Sequence, residues 1–184
     1  MCILTRPTTI TTIPMGDNPI LWEPGEEQRK ASAMYRFMRQ QGFDNYEDLY
    51  RWSIDDSAGF WEALCTFCDI RFSRAATKTI ERSDNIMHAG WFAGSELNYA
   101  EHLLRFDGDH IALVFSAEDG ERSEYSFDEL RRAVAGVAEG LRRAGIAKGD
   151  RVGAYLPNCP EAIIAMLATA SIGAVWSSCS PDFG

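Results

Sequence analysis

Residues Gly149–Ser178, GDRVGAYLPNCPEAIIAMLATASIGAVWSS, decide how this chain folds. Gly149-Asp150 turns the chain into a short apolar run, Val152-Gly153-Ala154-Tyr155-Leu156, which reads as a strand that Pro157 ends. Asn158, with Glu161 three residues on and Pro160 in the first turn, predicts a helix start: the Asn side chain can meet an unpaired amide, and Pro has none to leave unpaired. Ala162, Ile163, Ile164, Met166, Leu167, Ala168 and Ala170 leave this helix almost no polar face, so burial on both sides or beneath another layer is expected. Gly173 stops the helix and Ala174–Ser178 forms the next strand. Strand, helix of about a dozen residues, strand is the pattern of a right-handed βαβ unit with a parallel pair. Ligands of open α/β sheets bind beyond the carboxyl ends of their strands, which is where Cys179–Gly184 falls. On composition alone, Pro181-Asp182-Phe183-Gly184 reads as an ordinary turn ahead of a ligand loop.

Upstream, Ser126-Phe127-Asp128-Glu129 fits a capping box. From there Leu130, Ala133, Val134, Val137, Ala138, Leu141 and Ala144 keep a helical apolar rhythm against Arg131, Arg132, Glu139, Arg142 and Arg143, until Gly145 closes the helix. That apolar face is expected to lie on a sheet. Ile111–Ala117 and Arg122–Phe127, separated by Glu118-Asp119-Gly120, read as a β-hairpin.

Earlier in the chain the pattern is helical. One helix is expected over Glu26–Gln41 with Gly42 as its stop, and a second is capped by Asp44 or Asn45. A third begins near Asp55-Asp56 with Phe60, Trp61, Leu64, Phe67 and Cys68 as a packing face. Arg71–Ala89 has no usable period and reads as an irregular connection, followed by an aromatic turn at Trp91–Gly94 and a helix over Leu97–Leu104. His88 and His102 have no partner at metal spacing and are expected to be surface or hydrogen-bonded residues. Met1–Pro14 is Thr-rich and aperiodic, so a flexible arm is expected over residues 1–18.

The bulk numbers exclude several functions. With 18 Lys and Arg against 27 Asp and Glu, the net charge of −9 disfavours non-specific attraction to nucleic acid or to an anionic membrane. No apolar run reaches the ~20 residues that span a bilayer, and the N-terminus lacks a signal-peptide core, so a cytoplasmic location is expected. Five cysteines, an odd number without an export signal, argue for reduced thiols. Cys65-Thr66-Phe67-Cys68 has the spacing of a zinc half-site or a redox pair, but neither a second such pair nor nearby histidines accompany it. Both sulfurs are therefore expected in the core as small hydrophobes.

The ordered set Leu141-x-x-x-Gly145-Ile146-x-x-Gly149-Asp150-Arg151-Val152, Leu156-Pro157-Asn158-x-x-Glu161, Met166-Leu167-Ala168 and Ile172-Gly173-Ala174-Val175 resembles the opening segment of the adenylate-forming acyl-CoA synthetases and ligases. Phe60-Trp61 and Trp91-Phe92-Ala93-Gly94-x-x-Leu97-Asn98-Tyr99-Ala100 are similar to the N-terminal extension of the acetyl-CoA synthetase branch. Within it, Pro19-x-x-Trp22-x-Pro24, Trp52-Ser53-Ile54-Asp55 and the tail Ser180-Pro181-Asp182-Phe183-Gly184 resemble members that activate acetoacetate rather than acetate or propionate.

That resemblance implies an α/β fold: a helical extension over residues 19–105, then the first β-hairpin and βαβ part of an adenylate-forming large domain from residue 106. It implies a parent enzyme that uses ATP, CoA and Mg²⁺ to convert acetoacetate, through an acyl-adenylate, to its CoA thioester. The family's phosphate loop, adenine motif, hinge acid and catalytic lysine have no counterpart in these 184 residues. The chain is thus expected to be inactive by itself, to hold none of these ligands tightly, to lack catalytic and metal-binding residues, and to depend on the rest of the ligase chain. Ser180, Pro181, Asp182 and Phe183 are the expected contributors on the CoA side. The competing expectations are an acetyl- or propionyl-CoA synthetase segment and a non-catalytic binding module on the same fold.

Overall fold

Helices and strands alternate along residues 21–81 and 86–181, the part of the chain that the computed structural model describes. The first are α1 (Glu26–Ala31) and α2 (Ala33–Gln40). The single helix expected here is broken at Ser32, which is extended at φ −68° and ψ 148°. Its hydroxyl donates to the Arg29 carbonyl at 2.7 Å and accepts from the Tyr35 amide at 3.1 Å. Serine competes with the helix for backbone groups and so becomes the cap of α2. The helix α3 (Tyr46–Asp55) is capped by Asn45, whose Oδ1 accepts from the Asp48 amide at 3.0 Å. Phe37, Met38 and Leu49 are buried, whereas Met34 is exposed. The chain divides into two compact units between Arg51 and Trp52.

In the second unit α4 (Ser57–Phe67) is capped by Asp56, which accepts from the Gly59 amide at 3.0 Å. Its aromatic face exists as expected: Trp52, Phe60, Trp61 and Trp91 form a chain of edge-to-face rings with centroids 5.5–5.7 Å apart. The two sulfurs do not share that face in a core. Cys65 is half-buried and Cys68 is exposed, because α4 ends at Cys68 and Asp69 turns the backbone away at φ 50°. The connection read as irregular contains β1 (Lys78–Glu81), and the aromatic turn is the strand β2 (Gly90–Ala93), paired antiparallel to it. Four-residue strands are too short to show a period, so cross-strand bonding alone defines them. A short 3₁₀ turn, Ile86–His88, lies between them. The expected helix over 97–104 shortens to α5 (Tyr99–Leu103), capped by Asn98.

Strands β3 (Ile111–Ser116) and β4 (Arg122–Ser126) form the expected hairpin, with a bulge between Ile111 and Leu113. The next helix, α6 (Phe127–Arg143), opens on the capping box: the Ser126 hydroxyl accepts from the Glu129 amide at 3.2 Å, and Glu129 accepts from the Ser126 amide at 2.9 Å. Hydrogen bonds from the Ser126 amide and then its hydroxyl hold the Glu129 carboxyl below its usual range. A carboxyl depressed in the folded state contributes stability above its unfolded value, and that contribution is lost as pH falls through the folded value. Glu129→Gln keeps the box but removes the titrating group. Thermal melts below about pH 4 are expected to fall less steeply for Glu129→Gln than for the parent chain. Parallel acid limbs would show that the pair carries no proton linkage.

Strand β5 (Arg151–Tyr155), helix α7 (Pro160–Ser171) and strand β6 (Val175–Cys179) form the βαβ unit, with β5 and β6 parallel and Val152 opposite Trp176. The N-cap of α7 is Cys159, without a side-chain bond, rather than Asn158. Pro160 occupies the first helical position, so the cap falls on its immediate predecessor and Asn158 stands one residue too early. The apolar face of α6 lies on a sheet as expected, the β3–β4 hairpin, and packs on α7 as well. Its Leu130, Val134 and Ala138 join Ala100, Ile164, Leu167 and Ala168 in the core. Along β5 the half-buried Val152 and Ala154 alternate with exposed Arg151, Gly153 and Tyr155, so one face of the pair is covered and the other is open. Among the described residues, no helix is long and apolar enough to cross a membrane.

Candidate functional site

The carboxyl ends of β5 and β6 meet at a cleft of about 270 Å³. Leu156-Pro157-Asn158 supplies one wall, Ile163 and Met166 of α7 the floor, and Trp176 with Ser178-Cys179-Ser180 the other wall. The geometry follows from the parallel pairing: both strands point the same way, Pro157 releases the first from the sheet, and α7 has to cross back beneath them. The Trp176 Nε1–H donates to Ser178 Oγ at 3.2 Å, which orients the indole along the rim. The Tyr155 hydroxyl donates to the Pro181 carbonyl at 2.8 Å and ties the tail to the end of β5.

Of the four residues expected at the CoA side, Ser180 is half-buried and lines the cleft, and Pro181 is exposed and not part of its lining. Asp182 and Phe183 lie outside the described residues. Cys179 lines the same cleft, beyond the strand end where the sequence placed it, and Asn158 and Ser178 line it without having been expected there. These hydroxyl, thiol and amide groups can orient a polar ligand. The lining contains no Lys, Arg or carboxylate. Among the described residues, no three His, Cys, Asp or Glu gather in a group able to hold a metal ion. Nucleotide phosphates and Mg²⁺ therefore do not fit the residues of this cleft.

A larger cleft of about 580 Å³, lined by residues such as Leu97, Phe106, Leu113, Phe127 and Leu130, lies among α5, the hairpin, α6 and α7. It is apolar apart from a polar corner at Tyr99, His102 and Arg105. The ring of His102 is engaged there: Nε2 is 3.2 Å from the Arg71 amide nitrogen and 3.0 Å from the Arg71 carbonyl oxygen, and Nδ1 is 3.4 Å from Arg105 Nη1. That makes His102 a joint between distant segments, in keeping with its reading as a hydrogen-bonded residue.

Residues 46–103 match the family model described as acetyl-coenzyme A synthetase N-terminus, and residues 100–184 match the one described as AMP-binding enzyme. Among curated relatives, the acetoacetyl-CoA synthetase of Macaca fascicularis is 45% identical over 174 residues, covering 90% of this chain and 26% of the relative. That of Rhizobium meliloti is 41% identical over 170 residues, covering 89% of this chain and 26% of the relative. The solved acetoacetyl-CoA synthetase from Streptomyces lividans superposes with a TM-score of 0.80 at 40% identity, covering 89% of this chain and 27% of that one. The chain thus spans about a quarter of the length of these relatives. Two family models that meet at residues 100–103, a parallel βαβ unit with its cleft at the strand ends, and a structural match at a TM-score of 0.80 all point the same way: the chain is similar to the AMP-binding enzymes that carry an acetyl-coenzyme A synthetase N-terminus.

Proposed function

We propose that this chain is the N-terminal portion of an acid–thiol ligase that activates acetoacetate with ATP, through an acyl-adenylate, and passes it to CoA. The likeness to the Streptomyces lividans acetoacetyl-CoA synthetase, 40% identical over 89% of this chain, carries the reading. Residues 19–105 serve as the helical extension and residues 106–184 begin the AMP-binding domain. The 270 Å³ cleft, which Ser180 lines, takes the CoA side, and Ser180, Pro181, Asp182 and Phe183 contribute to CoA binding in this reading. ATP, Mg²⁺ and the acyl group are held by the rest of the ligase chain, since the residues here suit neither phosphate charge nor metal. Acetoacetate, ATP and CoA are its small-molecule partners, and the acidic balance of −9 fits a cytoplasmic enzyme that engages neither nucleic acid nor membrane.

Pyrophosphate exchange tests this directly. The protein extended to the length of its relatives is expected to exchange label with acetoacetate faster than with acetate or propionate, while the 184-residue chain alone shows none. Faster exchange with acetate or propionate would overturn the substrate. Failure of the extended protein with all three acids would favour a binding module, and exchange by the short chain would refute its dependence on the missing part. In the extended protein, Ser180→Tyr should raise KM for CoA and leave adenylate formation unchanged; an unchanged KM for CoA would remove the loop from the site.

A further inference from the structure

Cys65 lies half-buried in the last turn of α4, and Cys68 caps that helix in contact with solvent, with both thiols free. The helical ladder continues to Cys68, whose amide donates to the Leu64 carbonyl at 2.9 Å. Helical geometry therefore sets the two Cα atoms about 5 Å apart on one face. That distance is inside the window of about 4.4–6.8 Å in which a disulfide closes without moving the backbone. Burial, and then the neighbouring Cys68, push the Cys65 thiol up, so the exposed Cys68 is the sulfur that meets a reagent first.

The surroundings favour that encounter. Arg105 Nη1 donates to the Cys68 carbonyl at 3.2 Å and to the Asp69 carbonyl at 3.1 Å. A guanidinium thus covers the negative end of α4, where an anionic reagent would otherwise be repelled. Cys68 also opens onto the 580 Å³ cleft beside His102 and Arg105, which leaves a path to the sulfur. Among the described residues no third metal-ligating side chain joins the pair, so the geometry offers two-thiol chemistry rather than a metal site.

We infer that Cys65 and Cys68 form a vicinal dithiol that is oxidised by small-molecule disulfides and closes to a disulfide within α4. The Cys68 thiolate attacks one sulfur of oxidised glutathione; its S–S bond breaks, a mixed disulfide forms on Cys68, and one glutathione leaves and takes up a proton. Cys65 then gives up its proton and attacks the Cys68 sulfur, releasing the second glutathione. Two protein thiols are oxidised and one glutathione disulfide is reduced to two thiols. Thiol–disulfide exchange runs both ways, so excess reduced thiol reopens the bridge.

Peptide-mapping mass spectrometry of the 184-residue chain treated with oxidised glutathione decides the matter. The parent chain is expected to lose two hydrogen masses from the peptide holding both residues. Cys65→Ser should stop with one glutathionyl group on Cys68, and Cys68→Ser should leave Cys65 unmodified over the same time. A parent chain that stops at the glutathionyl adduct, or that links Cys68 to Cys2, Cys159 or Cys179, overturns the inference. Phenylarsine oxide, which bridges two thiols, gives a readout that needs no variant. One equivalent should protect both Cys65 and Cys68 from later alkylation, and protection of neither or of one alone counts against the pair.

Discussion

Leu167→Ala is expected to remove about 2–5 kcal/mol of stability, the range for deleting a buried leucine side chain whose surroundings only partly collapse. Leu167 is 2% exposed and sits where α7 meets the faces of α5 and α6, packed among Ala100, Leu130, Val134, Ile164 and Ala168. Thr169, two residues on, is 0% exposed and its Oγ1 has no partner. A domain with ordinary stability of about 5–15 kcal/mol can lose its folded state to such a change. Urea denaturation followed by far-UV circular dichroism should show a lower midpoint with an unchanged slope, and Leu167→Met should cost less than about 1.5 kcal/mol. A loss below about 1 kcal/mol for Leu167→Ala would mean that this core is not the one that holds the βαβ unit to the rest of its unit.

The second large effect is expected at Asn98. Its Oδ1 accepts from the Glu101 amide at 3.2 Å and so caps α5. Its Nδ2 donates to the carbonyls of Ala170 at 3.0 Å and Ser171 at 3.3 Å, two acceptors in the last turn of α7 where the intrahelical ladder stops. One amide thus serves the donor end of one helix and the acceptor end of another. Asn98→Ala removes both functions and should cost about 1–3 kcal/mol, the sum of a cap and a partly buried hydrogen bond. Asn98→Asp separates them: a carboxylate caps as well as an amide, but it has no N–H and sets negative charge against two carbonyl oxygens. It should therefore be no more stable than Asn98→Ala. An Asp variant as stable as the parent chain would reduce Asn98 to a cap and remove the link between α5 and α7.

How much could be read in advance followed the range of the interactions. The Ser126–Glu129 box, the hairpin around Gly120 and the βαβ order were legible because each depends on residues a few positions apart or on a local apolar period. The helix break at Ser32 was missed although its signal was local, because a hydroxyl between two helical runs can bond the backbone either way. The cap of α7 was placed one residue early because Pro160 sets the first helical position more strongly than Asn158 sets a cap. The candidate cleft was half legible. Cys179 and Ser180 follow from their place at the end of a strand, whereas Asn158 joins them in one cleft only once β5 and β6 are paired.

By itself, then, the sequence determined the helices and the strands of the hairpin and βαβ unit, most turns and caps that depend on neighbours, and an order of motifs similar to that of the AMP-binding enzymes. The tertiary structure alone decided that α6 packs on α7 and the hairpin, that β1 and β2 exist as a pair, and that Asn98 reaches residues 72 and 73 positions away. It also decided that Cys68 faces water while Cys65 is half-buried. The physical reason is the same in each case. A contact within one turn costs little chain entropy and leaves a trace in local spacing, whereas a long-range contact exists only after a long loop has closed, and which segments then meet depends on every other surface that needs burial.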